Sequence, residues 1–203
     1  MQSQETQVEF VCPECKTTHR VNRYDRIEVD LKETVMNSSL FKWDCPECAH
    51  KVKLIYPCFY VDNSKRYVVW LIPNASDTTA IDRSLVNEYE GYTKRLCTTL
   101  DSFIEKVRIL DSGLQDQAIE LLKLITFAKV HISNDEIEHI YFYRKNEASN
   151  IELTLMYKED VDGIEIPDTM YQNVLGIVKE ELEPLGDDVF LIDQEWAGGK
   201  VIG

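Results

Sequence analysis

Glycine is scarce in this chain, with 8 residues among 203, and proline is scarcer at 6. No glycine-rich phosphate loop is present, and no Gly-x-Ser-x-Gly elbow. Phosphate-cradling nucleotide sites and serine-hydrolase chemistry therefore have no support in the sequence. No stretch approaches the ~20 consecutive apolar residues that a membrane-spanning helix needs. The opening residues, Met1-Gln2-Ser3-Gln4-Glu5-Thr6-Gln7, lack the basic start and apolar centre of a secretory leader. Low-complexity segments are absent, and the sole repeat is one doubled tetrapeptide.

Positive charge is also in short supply. The chain has 22 Lys and Arg against 36 Asp and Glu, a formal net charge of −14. The imbalance is local: residues 1–72 hold 10 acidic and 10 basic side chains, whereas residues 73–203 hold 26 and 12. An acidic body repels phosphate backbones. Nucleic-acid binding is therefore not expected, save as a local property of the balanced N-terminal part. Apolar residues make up 44%, enough for a core, so a soluble cytoplasmic protein without membrane contact is expected.

What the chain does have is Cys12-Pro13-Glu14-Cys15 and Cys45-Pro46-Glu47-Cys48. Each pair projects two thiols from one tight turn. Two such turns facing each other form a tetrahedral four-sulfur cage, the usual closed site for structural zinc. Cys12, Cys15, Cys45 and Cys48 are thus the expected ligands of one Zn2+. A reducing compartment suits metal-bound thiolates better than a disulfide framework does. The 29 intervening residues, 16–44, exceed the common gap of roughly 15–20. The insert must build its own strand and turn, for which residues 21–36 are suited. A rubredoxin-like iron site would use the same ligands; zinc is preferred as the commoner occupant. A dithiol redox pair usually opens a helix, where the dipole lowers one thiol pKa. Neither Lys16-Thr17-Thr18-His19 nor Ala49-His50-Lys51 opens an apolar helix.

Other candidates carry less. His19 and His50, just past each pair, read as alternate ligands, second donors to sulfur, or solvent-facing residues; the last is favoured because four cysteines complete the cage. His131 and His139 read as surface or strand residues. Cys58 and Cys97 read as small buried side chains. Asp116 and Glu120 share a helix face and can form a carboxylate pair, but a solvated face beside Lys123 is the favoured reading. Tyr60, Asp62 and Asp111 are conceivable polar site residues, although turn chemistry explains both aspartates.

Along the chain, a short strand at residues 8–11 leads into the first Cys turn, and another extended stretch covers 21–29. Residues 31–36 suit one or two helical turns. Residues 51–56 alternate as a half-buried strand does, until Pro57 interrupts. Aromatic and β-branched runs at 59–61 and 67–72 flank Asp62-Asn63-Ser64-Lys65, a hairpin signal. Leu100, Phe103, Ile104, Val107 and Leu110 mark a helix that Asp111-Ser112-Gly113 ends. Leu114, Ala118, Leu121, Leu122 and Ile125 mark a second. Strands are expected at 137–143 and 151–157, a helix at 169–182 capped by Asp168, a last strand at 189–192, and a loose tail at 197–200.

Phe10-Val11-Cys12-Pro13-Glu14-Cys15 and Phe41-Lys42-Trp43-Asp44-Cys45-Pro46-Glu47-Cys48 resemble the bacterial CpXC domain family, as do Tyr56-Pro57 and Tyr60-Val61-Asp62. Phe103-Ile104-Glu105-Lys106, Asp111-Ser112-Gly113-Leu114-Gln115-Asp116 and Ile119-Glu120 are similar to its helical half. The likeness spans roughly residues 8–127. It implies metal ligation by the four cysteines and transfers no activity. Lys16 and Ala49 stand where many such knuckles place glycine at positive φ.

The expected fold is α+β: a zinc-ribbon-like, β-rich N-terminal lobe over residues 1–75, with a helix pair and a mixed α/β part packed on it over 76–203. The expected function is a zinc-stapled binding or scaffold module with a protein partner. The alternative is an enzyme whose site lies between the N-terminal lobe and the helix pair and uses Asp111, Asp116 or Glu120.

Overall fold

A computed structural model describes residues 2–131, 137–182 and 184–202. The chain is mixed α+β. Packing divides it into two compact units, Met1–Ile104 and Glu105–Gly203.

The first unit opens with β1 (Gln4–Val11) and β2 (Thr18–Ile27), an antiparallel hairpin whose register runs to Val11 opposite Thr18. A crossover follows, carrying the short helix α1 (Lys32–Met36) and a second hairpin, β3 (Lys42–Asp44) with β4 (Lys51–Lys53). It returns the chain to β5 (Cys58–Asp62), which lies parallel to the end of β2 at Arg26 and Ile27. Next come β6 (Tyr67–Leu71), antiparallel to β5, then α2 (Arg83–Glu88) and β7 (Thr93–Cys97), parallel to β6. The five-stranded order is β1-β2-β5-β6-β7.

Central placement explains the composition of β5 and β6. With neighbours on both edges, nearly every side chain of the two strands is buried, and β-branched and aromatic residues fill them. Asp62 ends β5 by accepting the amides of Ser64 (2.8 Å) and Lys65 (3.0 Å) at Oδ1, the turn chemistry its sequence context suggests. Cys58 and Cys97 are buried. Burial pushes the Cys58 thiol up to about 12, so it stays a neutral, small apolar group.

α3 (Leu100–Asp111) crosses the division between the units. Gly113 ends it at φ 70. Its amide donates to the Leu110 carbonyl (3.0 Å) and that of Leu114 to Ile109 (3.3 Å), the paired bonds of a left-handed helix stop.

The second unit continues with α4 (Asp116–His131), a meander of β8 (Ile137–Lys145), β9 (Ile151–Tyr157) and β10 (Val161–Ile166), then α5 (Asp168–Glu181) and α6 (Gln194–Ile202). The sheet order is β10-β9-β8, antiparallel throughout. Ile151, Leu153 and Leu155 of β9 alternate inward and join Leu122, Val174 and Ala197 in one apolar cluster. Each fully buried Leu or Ile contributes about 1.5–3 kcal/mol relative to an exposed one.

Several elements differ from expectation. Residues 189–192 form no strand beyond an isolated β-bridge at Phe190; Val189 and Ile192 are buried. The tail expected at 197–200 lies inside α6. Asp193 accepts the Trp196 amide at 2.8 Å, and Ala197 is fully buried. Capping and packing thus outweigh the poor helix propensity of Gly198-Gly199. Asp168 lies in the first turn of α5 rather than at its cap, which is Pro167.

Candidate metal centre

Each Cys-Pro-Glu-Cys turn sits at the tip of a hairpin. In β1–β2 the last pair, Val11 with Thr18, leaves residues 12–17 as the tip; in β3–β4 the pair Asp44 with Lys51 leaves 45–50. The two tips share one bonding pattern. Cys12 donates its amide to the Thr17 carbonyl (3.0 Å), and Lys16 donates back to Cys12 (3.0 Å). Cys45 donates to His50 (2.9 Å), and Ala49 donates to Cys45 (2.8 Å). Closing so tight a turn forces the residue after the second cysteine into the left-handed region. Lys16 has φ 63 and Ala49 φ 57, where a side chain costs roughly 1–2 kcal/mol. The Lys16 ammonium donates to the Pro13 carbonyl (2.6 Å) within its own turn.

The tips face each other. Cys12 Sγ lies 3.7 Å from Cys48 Sγ, and Cys15 Sγ lies 3.6 Å from Cys45 Sγ. All four sulfurs fall within 4.8 Å of one another. A tetrahedral zinc with Zn–S of about 2.3 Å has S···S edges of roughly 3.8 Å. A disulfide would need sulfurs at about 2.05 Å, and all four cysteines are free thiols. The donor set and spacing therefore fit a tetrathiolate metal ion, and the four cysteines can hold one. Both short contacts run between hairpins, so an ion here would staple the crossover to β1–β2.

The environment is graded. Cys12 and Cys45 are buried, Cys15 is partly exposed, and Cys48 is exposed. Hydrogen bonds from the Thr17 hydroxyl and amide lower the Cys15 thiol to about 6, outweighing its burial. The His50 amide pulls the Cys48 thiol down, but local desolvation of its sulfur and contacts with the other three thiols outweigh it and push Cys48 up to about 12. Crowded acids share their protons unevenly in this way, and a cation at the centre would relieve the crowding.

His19 is half-buried, with Nε2 3.5 Å from Cys45 Sγ. It belongs to the surroundings of the sulfurs and not to the solvent face favoured from sequence. Its ring packs against Trp43 at 5.2 Å, and Phe10 meets the same indole edge-on at 5.2 Å. The pairing of Phe10 with His19 in β1–β2 brings these rings together. His50 is exposed and contributes its backbone carbonyl. His139 is exposed on β8, its ring 5.9 Å from Tyr141. The side chain of His131 lies outside the described residues.

Asp116 and Glu120 do not lie on a solvated face. Both are 2% exposed, as is Lys106, with Lys123 at 3% and Glu105 at 5%. Lys106 Nζ reaches Asp116 (3.2 Å), Glu120 (3.1 Å) and the Ile192 carbonyl (2.7 Å). Lys123 Nζ reaches Glu105 (2.9 Å) and Glu120 (2.9 Å). Glu105 also accepts the Phe142 amide from β8. Burial raises the Glu105 carboxyl above its ordinary value, although Lys123 opposes the shift. Glu105 and Glu120 raise the Lys123 ammonium despite its own burial, which lowers it. This is a dry ionic joint between α3, α4 and β8. Asp111 is half-buried.

The surface of the described residues includes two clefts of note. One, of about 340 Å3, is bordered by Gln117, Glu181, Phe190, Trp196 and Lys200. The other, of about 450 Å3, runs along β2 and the crossover, with Arg20, Asn22, Lys42 and Trp43 in its walls. Neither is lined by Asp111, Asp116 or Glu120.

Two hairpin-tip knuckles bring four sulfurs into one cluster that could hold a metal ion. The model of the CpXC protein family matches residues 10–123, more than half of the chain, and the protein belongs to that family. The match takes in both knuckles and ends at Lys123, within the ionic joint. No curated protein and no solved structure matches the chain. No described helix is long and apolar enough to cross a membrane.

Proposed function

We propose that Cys12, Cys15, Cys45 and Cys48 hold one structural zinc ion that staples the lobe of residues 1–75, and that the protein is a cytoplasmic binding or scaffold module for a protein partner. The observation that carries the reading is the pair of contacts between hairpins, 3.7 and 3.6 Å. They match the edge of a zinc–sulfur tetrahedron and leave no coordination position for a substrate. Zinc supplies no redox chemistry and closes the fold. Of the carboxylates that a catalytic reading would use, Asp111, Asp116 and Glu120, the last two are engaged with Lys106. That supports binding over catalysis.

Elemental analysis of protein purified without added metal tests the site. About one zinc per chain is expected, with no visible charge-transfer band of iron thiolate. Cys45→Ser should lose the ion and the circular-dichroism signature of the folded lobe. Unchanged metal content and folding in Cys45→Ser would overturn the assignment.

A further inference from the structure

We infer that the cleft along β2 is a docking groove for an extended acidic peptide segment, which adds to β2 as a further strand. This rests on reading the protein as a binding module and names the chemistry of its partner.

The first observation is an open strand edge. β2 pairs with β1 from Thr18 to Arg26, but with β5 only at Arg26 and Ile27. The Tyr24 amide donates to the Tyr56 hydroxyl (3.2 Å), so it faces away from β1. Strand alternation turns the backbone groups of Asn22 and Arg20 the same way. Among the described residues, no backbone partner meets them there. That edge forms one wall of the cleft of about 450 Å3, and the crossover forms the other. An exposed edge facing a walled groove is the arrangement that strand addition uses: main-chain hydrogen bonds supply affinity, and alternate side chains supply specificity.

The second observation is charge. The charged residues lining the cleft are Arg20 and Lys42. Both are exposed cations, and neither has an ion-pair partner among the described residues. Val21 and Leu54 add buried and half-buried apolar surface to the same lining, beside Trp43. A strand laid on β2 turns successive side chains to opposite faces. The matching segment therefore alternates carboxylates, which meet Arg20 and Lys42, with aliphatic side chains, which meet Val21, Leu54 and Trp43. A single-stranded nucleic acid would also meet cations and an indole, but it has no regular main-chain donors and acceptors for the open edge.

The test uses the full-length, metal-loaded protein and a blocked, fluorescein-labelled octapeptide alternating glutamate with valine. Fluorescence anisotropy should show saturable binding that weakens with salt. Arg20→Ser and Lys42→Ser should each weaken it roughly threefold. Hydrogen exchange should slow at the Arg20 and Asn22 amides when the peptide is added. The same peptide with lysine for glutamate, or with N-methyl groups on alternate amides, should not bind. Equal binding of either control, unchanged exchange at Arg20 and Asn22, absence of binding, or tighter binding of oligo-dT would each overturn the groove. Zinc content measured on the same samples keeps the two readings apart. One ion per chain with no peptide binding sinks the groove alone, whereas absence of the ion sinks the stapled module.

Discussion

Lys123 is the residue whose removal tests the ionic joint most sharply. Lys123→Met keeps the aliphatic stem and deletes the charge that faces Glu105 at 2.9 and 3.0 Å and Glu120 at 2.9 Å. All three side chains are at most 5% exposed, so water cannot replace the ammonium. Removing one partner of a buried pair typically costs about 3–5 kcal/mol, against a total stability of roughly 5–15 kcal/mol for a domain. At about 2–4 °C per kcal/mol for a chain of this size, Tm should fall by about 6–20 °C. The loss depends on pH. A carboxyl raised in the fold, as Glu105 is, binds its proton more tightly folded than unfolded. Its contribution favours the fold at low pH and is lost as pH rises above the ordinary carboxylate range. Deleting Lys123 removes the charge that makes ionised Glu105 tolerable. The deficit of the variant should therefore be smaller at about pH 5 than at about pH 8. Adding Glu105→Gln should recover part of it. The raised Lys123 itself stabilises the native protein at neutral pH and ceases to do so only as pH climbs past 10.5. Urea denaturation across pH measures all of this. A deficit below about 1 kcal/mol, in the range of exposed pairs, or one that does not change with pH, would refute the reasoning.

Three further outcomes are expected. Ala49→Gly should leave stability unchanged or raise it by up to about 1 kcal/mol, whereas Ala49→Val should cost more than 1 kcal/mol, because φ 57 penalises a branched Cβ; thermal melts of the metal-loaded protein compare them. His19→Phe keeps the stack on Trp43 and deletes the contact with Cys45 Sγ; a competitive chelator titration should show zinc affinity lowered about 10–100-fold, and unchanged affinity would make His19 a packing residue only. Leu153→Ala should cost about 2–5 kcal/mol, because Leu153 is 1% exposed at the centre of its cluster; a cost under 1 kcal/mol in guanidinium titration would mean that the site collapses freely.

Much of the fold is legible where one periodicity acts alone. The hairpin of β5 and β6, the helices α3 to α5 and the alternation of β9 all follow local patterns. The doubled Cys turns announce their own convergence because tetrahedral chemistry needs both. β7 was hidden by Lys94 and Arg95, cations that read as surface yet are 1% and 6% exposed. A parallel strand is held by its neighbours, and its composition reflects them. α6 was hidden by two glycines whose low propensity is overridden by packing at Ala197. The burial of Asp116 and Glu120 was illegible for a related reason: their cation, Lys106, comes from another helix, and its position is a tertiary fact. A signal was present in the spacing of Asp116, Glu120 and Lys123, which occupy one helical stripe beside the apolar Ile119 and Leu122. His19 shows the same limit, since its approach to Cys45 depends on how the second hairpin folds back.

The placement of the second hairpin bears on how the chain reaches its fold. β2 and β5 are parallel neighbours, so the sheet cannot form until residues 28–57 have looped from one to the other. Ordering a long connection is slow, because its entropy is lost before the distant contacts reward it. A metal ion shared by the tips of β1–β2 and β3–β4 would join residues 30 to 36 positions apart, and each tip needs only local turns to be ready. Ligation would split the long search into two short ones. Refolding should then be markedly faster with zinc present than without it, with the rate governed by metal concentration while zinc is scarce.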